Sequence, residues 1–184
     1  MRSAILVIDM LKDTFDVENN FPIRPAAQAI VPAINEMNRE ARARDWPVVF
    51  ACDSFLKDDF IFQGRMNPHA LRDTEGARVT DHLEQGPEDV FLPKRRFSAF
   101  FKTDLDQTLR TWGVGRVLVC GIATNICVLT TALDAICHDI RAVIVEDATA
   151  AFSPEIHINT LSSYRKSPLR PLLQVLTAEQ ALAS

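Results

Sequence analysis

Short apolar runs rich in β-branched residues recur along the chain, and stretches with helical spacing separate them. Continuous apolar runs of this kind are typical of strands that are covered on both faces of a sheet. The alternation of strand and helix therefore predicts an α/β fold, whose largely parallel sheet has about six strands and is flanked by helices. The predicted strands are Ala4–Ile8, Pro47–Cys52, Val90–Leu92, Val117–Cys120, Ala142–Val145 and Leu172–Leu176.

The helices are predicted from apolar residues that recur at helical spacing. In the stretch Pro25–Arg44, for example, Ile30, Ile34, Met37 and Ala41 share one face. Shorter helical stretches are predicted at Leu105–Trp112, Asn125–His138, Pro154–Tyr164 and Ala178–Leu182.

The segment from about 54 to 87 has no strong periodicity and contains scattered glycines, prolines and aromatic residues. A long irregular segment between regular elements is usually functional, so we expect it to form a lid or rim over a site. The whole chain, residues 1–184, is short enough to form one domain around this site.

Composition excludes several classes of function. The formal net charge of −4 argues against a nucleic-acid binder, which usually has a basic surface. No apolar run approaches the ~18 residues that indicate a membrane helix, and no secretory signal is present. The four cysteines are expected to be reduced thiols, because a chain of this length needs no disulfide staples. We therefore expect a cytoplasmic protein with no nucleic-acid or membrane partner.

Polar side chains follow several of the predicted strands. Asp9 and Asp53 come directly after a strand, and the strand Val90–Leu92 ends at Pro93-Lys94. A turn containing Cys127 follows the strand Val117–Cys120. In a parallel sheet the ligand crevice lies beyond the carboxyl ends of the strands. These side chains, distant in sequence, are therefore expected to gather at one edge of the sheet.

The turn before Cys127 has the features of a nucleophile site. Gly121 permits a sharp exit from the strand, and Thr124 and Asn125 are residue types that cap a helix. Cys127 would then lie in the first helical turn, where unpaired N–H groups and the helix dipole favour a thiolate and can receive an oxyanion. The alternative is that Cys127 is a small buried hydrophobic residue.

Asp9 and Lys94 could complete a catalytic arrangement. A carboxylate beside a cysteine can take the thiol proton and return it to a leaving amine. A nearby lysine would keep the carboxylate and the thiolate ionised. The alternative for Asp9 and Lys94 is a structural ion pair at the strand ends.

Three motifs in order resemble the isochorismatase-like cysteine hydrolases, which include nicotinamidases, N-carbamoylsarcosine amidase and ureidoacrylate amidase. They are Ile8–Met10, Lys94–Phe100 and Gly121–Val128. The resemblance implies a three-layer Rossmann-like fold, a homo-oligomer and the catalytic triad Asp9, Lys94 and Cys127. It also implies a cis peptide bond between Ile122 and Ala123 and an oxyanion hole formed by the N–H groups of Ala123 and Cys127.

Two departures from the family pattern affect the expected substrate. The usual Asp-x-Gln reads Asp9-Met10-Leu11, so a side-chain amide beside the base is missing. The residues that resemble the nicotinamidase metal ligands are Asp53, Phe55 and His69, and phenylalanine cannot bind a metal. We therefore expect no tightly bound metal and no cofactor, and nicotinamide becomes a less favoured substrate.

The leading functional hypothesis is a cysteine-dependent hydrolase of a small non-peptide amide or carbamoyl compound. Phe97, Phe100, Asp53 and His69 are the residues expected to line its substrate pocket, and Arg95 or Arg96 could hold a substrate carboxylate. The alternatives are an isochorismatase-type hydrolase of a vinyl ether, which does not depend on the cysteine, and a non-catalytic metabolite-binding or scaffold protein. A dinucleotide-binding protein is disfavoured, because the first strand-to-helix turn lacks the glycine-rich fingerprint.

Overall fold

The computed structural model describes all 184 residues and is built on one parallel sheet. Its six strands lie in the order β3-β2-β1-β4-β5-β6, and every neighbouring pair is parallel. The predicted α/β class and the predicted number of strands are therefore confirmed. The strands are β1 (Arg2–Ile8), β2 (Val48–Asp53), β3 (Val90–Lys94), β4 (Val114–Ile122), β5 (Arg141–Ala150) and β6 (Leu173–Leu176).

The helices fill the connections between strands. They are α1 (Lys12–Phe15), α2 (Arg24–Ala43), α3 (Leu105–Thr111), α4 (Leu129–Cys137), α5 (Pro154–Arg165) and α6 (Ala178–Ala183). The one-turn helix α1 was not predicted, because four residues are too few to show a helical period. The irregular segment between β2 and β3 contains two short 3₁₀ helices, Phe60–Gln63 and Glu75–Ala77. None of the helices combines the length and the apolar character needed to cross a bilayer.

Both faces of the sheet are buried, which explains why the strands read as continuous apolar runs. Successive residues of β1 point to opposite faces. Leu6 belongs to the apolar cluster that includes Ala132 of α4, and Val7 belongs to the cluster that includes Ile34 of α2. The result is three layers, with the sheet in the middle.

The strand order reverses direction between β1 and β4, and this position is where ligands bind in open α/β sheets. At the end of this pair, Ile8 is the register partner of Gly121. Gly121 has a φ of +98°, and a Cβ atom there would lie 2.1 Å from the Ile8 carbonyl oxygen. Only glycine fits so close an approach, so the turn that follows β4 leaves the sheet directly beside the end of β1.

Strand β5 extends further than its apolar run predicts. The pairing with β4 is interrupted by an irregularity and then resumes, so that Gly121 faces Thr149 rather than a residue of the apolar run. The polar residues Glu146 and Asp147 end the apolar run, and the pattern therefore gave no sign that the strand continues. This extension brings Thr149 next to the turn that contains Cys127.

Candidate active site

Asp9, Asp53 and Lys94 form a buried ionic cluster at the carboxyl edge of the sheet. Lys94 Nζ lies 2.8 Å from Asp9 Oδ2 and 2.5 Å from Asp53 Oδ1, and the lysine side chain is completely buried. Asp53 and Lys94 are register partners on the neighbouring strands β2 and β3. The Asp53 backbone N–H donates to Asp9 Oδ1 at 2.8 Å, which fixes the orientation of the Asp9 carboxylate.

The thiol of Cys127 completes this cluster. Its Sγ atom, one carboxylate oxygen of Asp9 and one of Asp53 all lie within 4.8 Å of one another. The structure therefore brings Asp9, Lys94 and Cys127 together from the ends of three different strands. It also adds Asp53 as a second carboxylate on the same lysine, a contact that the sequence patterns did not predict.

The environment of the cluster decides its protonation. Burial raises the pKa of the Cys127 thiol well above its usual value; Lys94 opposes this effect, and the charges of Asp9 and Asp53 add to it. With its pKa raised in this way, the thiol needs a base to become a thiolate, and Asp9 is the carboxylate within reach. Burial would lower the pKa of Lys94, but the carboxylates of Asp53 and Asp9 outweigh burial and hold it well above its ordinary value. Burial, together with the charge of Asp9, raises the pKa of Asp53 to about 7.

The turn that carries Cys127 is a π-helical segment, Thr124–Val128, which leads into α4. The peptide bond before it, between Ile122 and Ala123, is cis. The N–H groups of Ala123 and Thr124 donate to no other group of the protein. The segment thus presents free backbone donors beside the thiol, as an oxyanion site requires.

The predicted helix caps are wrong. Neither Thr124 nor Asn125 caps this helix, because the N-cap position is Ala123 and no side chain bonds to the free N–H groups. The Thr124 hydroxyl instead contacts Nδ1 of His157 at 2.9 Å. Free N–H groups at a helix start are costly when buried, so leaving them uncapped is consistent with a site that receives a ligand there.

A cavity of about 430 Å³ opens onto the cluster. Its volume lies in the range of small-molecule sites, and most of its lining is apolar. Three of the residues predicted for the pocket, Asp53, His69 and Phe97, belong to the lining, as does part of the irregular segment. The lining residues are Asp9, Leu11, Thr14, Phe21, Ile23, Asp53, Phe55, Arg65, Met66, Asn67, His69, Phe97, Ile122, Ala123, Ile126, Cys127 and Phe152.

A larger cavity of about 660 Å³ lies on the other side of Asp53. It contains a second cysteine, Cys52, and burial raises the pKa of this thiol to about 12, just as burial raises the pKa of the Cys127 thiol. No group of free backbone donors is found beside Cys52, which lies within a regular strand. Size alone therefore does not identify the site, and of the two cavities the smaller one has both Cys127 and Asp9 on its lining, beside free backbone N–H groups.

Phe100 was predicted to line the pocket, and this prediction is wrong. The side chain is buried in the core below α4, where its ring stacks on His138 with the ring centroids 5.0 Å apart. Phe97 and Phe100 are separated by one turn of irregular chain, which directs them to different environments. Large aromatic side chains are often buried in a core. Here Phe100 belongs to the core, whereas Phe97 lines the cavity.

Arg95 and Arg96 do not reach the cavity either. Both guanidinium groups bind the buried carboxylate of Asp59, at 2.9 Å and 3.1 Å. They tie the start of the irregular segment to β3 and are not free to hold a substrate. The cationic residue on the cavity lining is Arg65, which sequence patterns did not single out because it lies in a segment without periodicity.

The raised pKa of Asp53 predicts a pH-dependent contribution to stability. Between its ordinary value of about 3.9 and the folded value of about 7, the folded chain holds a proton at this site that the unfolded chain has lost. The stability contributed by Asp53 is therefore fully present below about pH 4 and is lost as the pH rises towards about 7. Replacing Asp53 with asparagine should remove this dependence of the unfolding free energy on pH.

The measurement is urea unfolding of the wild type and of Asp53→Asn across this pH range, with Asp58→Asn as an exposed control. We expect the difference in unfolding free energy between wild type and Asp53→Asn to change with pH, and the control difference to stay constant. Parallel curves for wild type and Asp53→Asn would show that the pKa of Asp53 is not raised.

The residues that resemble a nicotinamidase metal site do not fit a metal. Phe55 offers no ligand atom, and its ring packs edge-on against His69 at 5.5 Å. Lys94 already contacts Asp53 Oδ1, and Nδ1 of His69 bonds to the Asn67 carbonyl oxygen. The donors that remain are too few for a tight zinc site, which takes three or four protein ligands.

We therefore expect dialysis against EDTA to leave both the melting temperature and any hydrolytic activity unchanged. The measurement is thermal unfolding and turnover before and after dialysis, with elemental analysis of the purified protein. Near-stoichiometric zinc or iron that is lost together with activity would contradict this expectation.

Comparison with known proteins extends over almost the whole chain. Residues 3–180 match the family model of the isochorismatase domain. A probable inactive nicotinamidase of Arabidopsis thaliana is 34% identical over 166 residues, which cover 84% of each chain. An isochorismatase-like hydrolase of Alkaliphilus metalliredigens superposes with a TM-score of 0.88 at 31% identity, over 100% of this chain and 98% of that chain. An N-carbamoylsarcosine amidase of Thermoplasma acidophilum superposes with a TM-score of 0.81 at 30% identity, over 97% and 98% of the two chains.

Proposed function

We propose that this chain, which belongs to the isochorismatase family of hydrolases, cleaves the C–N bond of a small non-peptide amide or carbamoyl compound through a thioester on Cys127. The observation that carries the proposal is the position of Asp9, which lies within reach of the Cys127 thiol and is held by Lys94. The similarity to an N-carbamoylsarcosine amidase supports C–N cleavage.

In the first step, the Cys127 sulfur attacks the carbonyl carbon while Asp9 takes the thiol proton. The S–C bond forms, and the carbonyl π electrons move onto oxygen, which becomes an oxyanion. The free N–H group of Ala123, with that of Cys127, would stabilise this charge by hydrogen bonds. Since the thiol pKa is raised, proton transfer to Asp9 has to accompany the attack.

In the second step, the oxyanion collapses and the C–N bond breaks. Asp9 gives its proton to the nitrogen, which leaves as an amine or ammonia. A water molecule then attacks the thioester while Asp9 takes one of its protons, and the C–S bond breaks with return of that proton to sulfur. Lys94 stays protonated throughout, because its pKa is held high, and its hydrogen bond orients the Asp9 carboxylate.

The cluster favours this reaction over the hydrolysis of a vinyl ether. The thioester route requires a thiol beside a base, which this cluster supplies, whereas the ether reaction does not depend on the cysteine. The experiment that tests the proposal is a screen of small amides for ammonia release, with isochorismate included as the ether substrate. Release of ammonia by the wild type supports the proposal; turnover of isochorismate alone supports the ether reaction, and no turnover supports a non-catalytic role.

Arg65 is expected to select the charge of the substrate. Arg65 is an exposed residue on the lining of a mostly apolar cavity, where its guanidinium can pair with a substrate carboxylate. Such a charged hydrogen bond contributes about 1.5–3 kcal/mol, so Arg65→Gln should raise KM for an anionic amide about 10-fold or more. Succinamate and its uncharged methyl ester form a suitable pair, and KM for the ester should not change.

The matched control for this prediction is Arg141→Gln, because Arg141 starts β5 and lies at the opposite edge of the sheet. KM for succinamate should be the same in this variant as in the wild type. Equal effects of Arg65→Gln on the acid and on the ester would mean that Arg65 does not recognise the substrate charge.

A further inference from the structure

His157, on α5, is connected to the turn of Cys127 by a chain of three hydrogen bonds. Its Nδ1 atom lies 2.9 Å from Thr124 Oγ1, which lies 3.3 Å from Thr149 Oγ1. Thr149 Oγ1 lies 2.8 Å from the Gly121 carbonyl oxygen. Thr124 and Thr149 are 0% and 3% exposed, so bulk water cannot replace a lost partner at either hydroxyl.

The direction of this chain follows from counting its protons. A carbonyl oxygen can only accept, so the single hydroxyl proton of Thr149 is donated to Gly121. Thr149 must then accept from Thr124, which uses the single hydroxyl proton of Thr124. Thr124 in turn has only an acceptor left for His157, so Nδ1 of His157 must carry a proton.

Two members of this hydrogen-bond chain, Gly121 and Thr124, lie on either side of the proposed oxyanion site in the sequence. Gly121 precedes, and Thr124 follows, the short stretch that contains Ala123, whose N–H group is free at the cavity lining. Bonds to the carbonyl group on one side and to the side chain on the other restrain this stretch against β5 and α5. A displacement of about 1 Å in such a site can reduce a rate about 100-fold, so the restraint has a catalytic consequence.

We infer that His157 is a positioning residue of the oxyanion turn, which it holds through an Nδ1–H group and the hydroxyls of Thr124 and Thr149. This inference rests on the proposed function for its effect on turnover, but the protonation of Nδ1 does not depend on any activity. Burial lowers the pKa of His157, so the ring is neutral at pH 8 and its tautomer can be read directly.

The first experiment is long-range ¹H–¹⁵N correlation NMR of the protein labelled with ¹⁵N-histidine at pH 8. The chain has four histidines, and the signal that disappears in His157→Asn belongs to His157. We expect a neutral ring with its proton on Nδ1. A neutral ring with the proton on Nε2 would overturn the inference, whatever the protein hydrolyses.

The second experiment compares two replacements of the same residue. The side-chain N–H₂ of asparagine lies close to the position of Nδ1, whereas that of glutamine lies closer to Nε2. We therefore expect His157→Asn to keep most of the wild-type kcat, and His157→Gln to reduce kcat about 10-fold to 100-fold with little change in KM. The substrate is the most rapidly hydrolysed amide of the screen described above.

Thr124 provides a matched pair in the middle of the chain. Thr124→Val keeps the shape of the side chain but removes the hydroxyl, and should reduce kcat about as much as His157→Gln does. Thr124→Ser keeps the hydroxyl and should have a kcat close to that of the wild type. Combining Thr124→Val with His157→Gln should cost little more than either change alone, because one break already interrupts the chain. Equal activities of the asparagine and glutamine variants, or fully additive losses, would overturn the inference. If no amide is hydrolysed, the proposed function fails and the NMR result alone decides the role of His157.

Discussion

Replacing Cys127 with alanine is expected to lower kcat/KM for an amide substrate by at least about 1,000-fold, which corresponds to about 4 kcal/mol of transition-state stabilisation. The reason is that no other group can take the place of the sulfur. Asp9 would remain paired with Lys94, but the thiol that it activates for attack on the amide would be missing. The measurement is steady-state ammonia release by the wild type and by the variant at equal concentrations.

The control for this prediction is Cys137→Ser. Cys137 is exposed at the end of α4 and lies outside the cavity lining, so its replacement should leave turnover unchanged. If Cys127→Ala hydrolysed amides as fast as the wild type, the cysteine would not be the nucleophile. Activity on isochorismate that survives in Cys127→Ala would indicate the ether reaction instead.

Replacing Lys94 with methionine is expected to destabilise the fold and to abolish activity. Methionine matches the length of the lysine stem but leaves two buried carboxylates, Asp9 and Asp53, facing each other without a cation. Removing one partner of a buried ion pair typically costs about 3–5 kcal/mol, because the remaining charge stays desolvated. Urea unfolding at pH 8 measures this cost, and Lys166→Met, an exposed replacement just after α5, is the control.

A double variant separates the loss of charge balance from the loss of packing. Lys94→Met combined with Asp53→Asn leaves a single buried carboxylate, so it should be more stable than Lys94→Met alone. A packing defect would not be relieved by the second change. If Lys94→Met unfolds at the same urea concentration as the wild type, the cluster does not depend on the ammonium group and its assigned role is wrong.

The parts of the site that could be predicted are those at the ends of parallel strands. A continuous apolar run followed by Asp9 or Lys94 indicates both a buried strand and the edge where the side chain emerges. Since all six strands are parallel, these edges coincide, and residues 85 positions apart come into contact at 2.8 Å. The same rule placed Asp53 at the edge, but it did not reveal that Asp53 pairs with Lys94, because register is a property of the folded sheet.

The parts that could not be predicted depend on contacts outside the repeating elements. The residues Thr124 and Asn125 have the composition of helix caps, yet the hydroxyl of Thr124 is engaged by His157 from another helix. Thr149 approaches Gly121 only because β5 continues beyond an irregularity that the apolar pattern does not show. Local propensity describes what a residue can do, and here tertiary packing selects a different partner.

The central claim is that the Cys127 sulfur forms a covalent bond with the acyl part of the substrate, and rapid acid quenching followed by mass spectrometry tests it most directly. The wild-type protein is mixed with a hydrolysed amide, quenched at intervals through the first turnover and digested. We expect the peptide containing Cys127 to gain transiently the mass of the acyl group, and the Cys127→Ala protein to show no adduct. A Cys127 peptide that stays unmodified while a full equivalent of ammonia is released would contradict the claim.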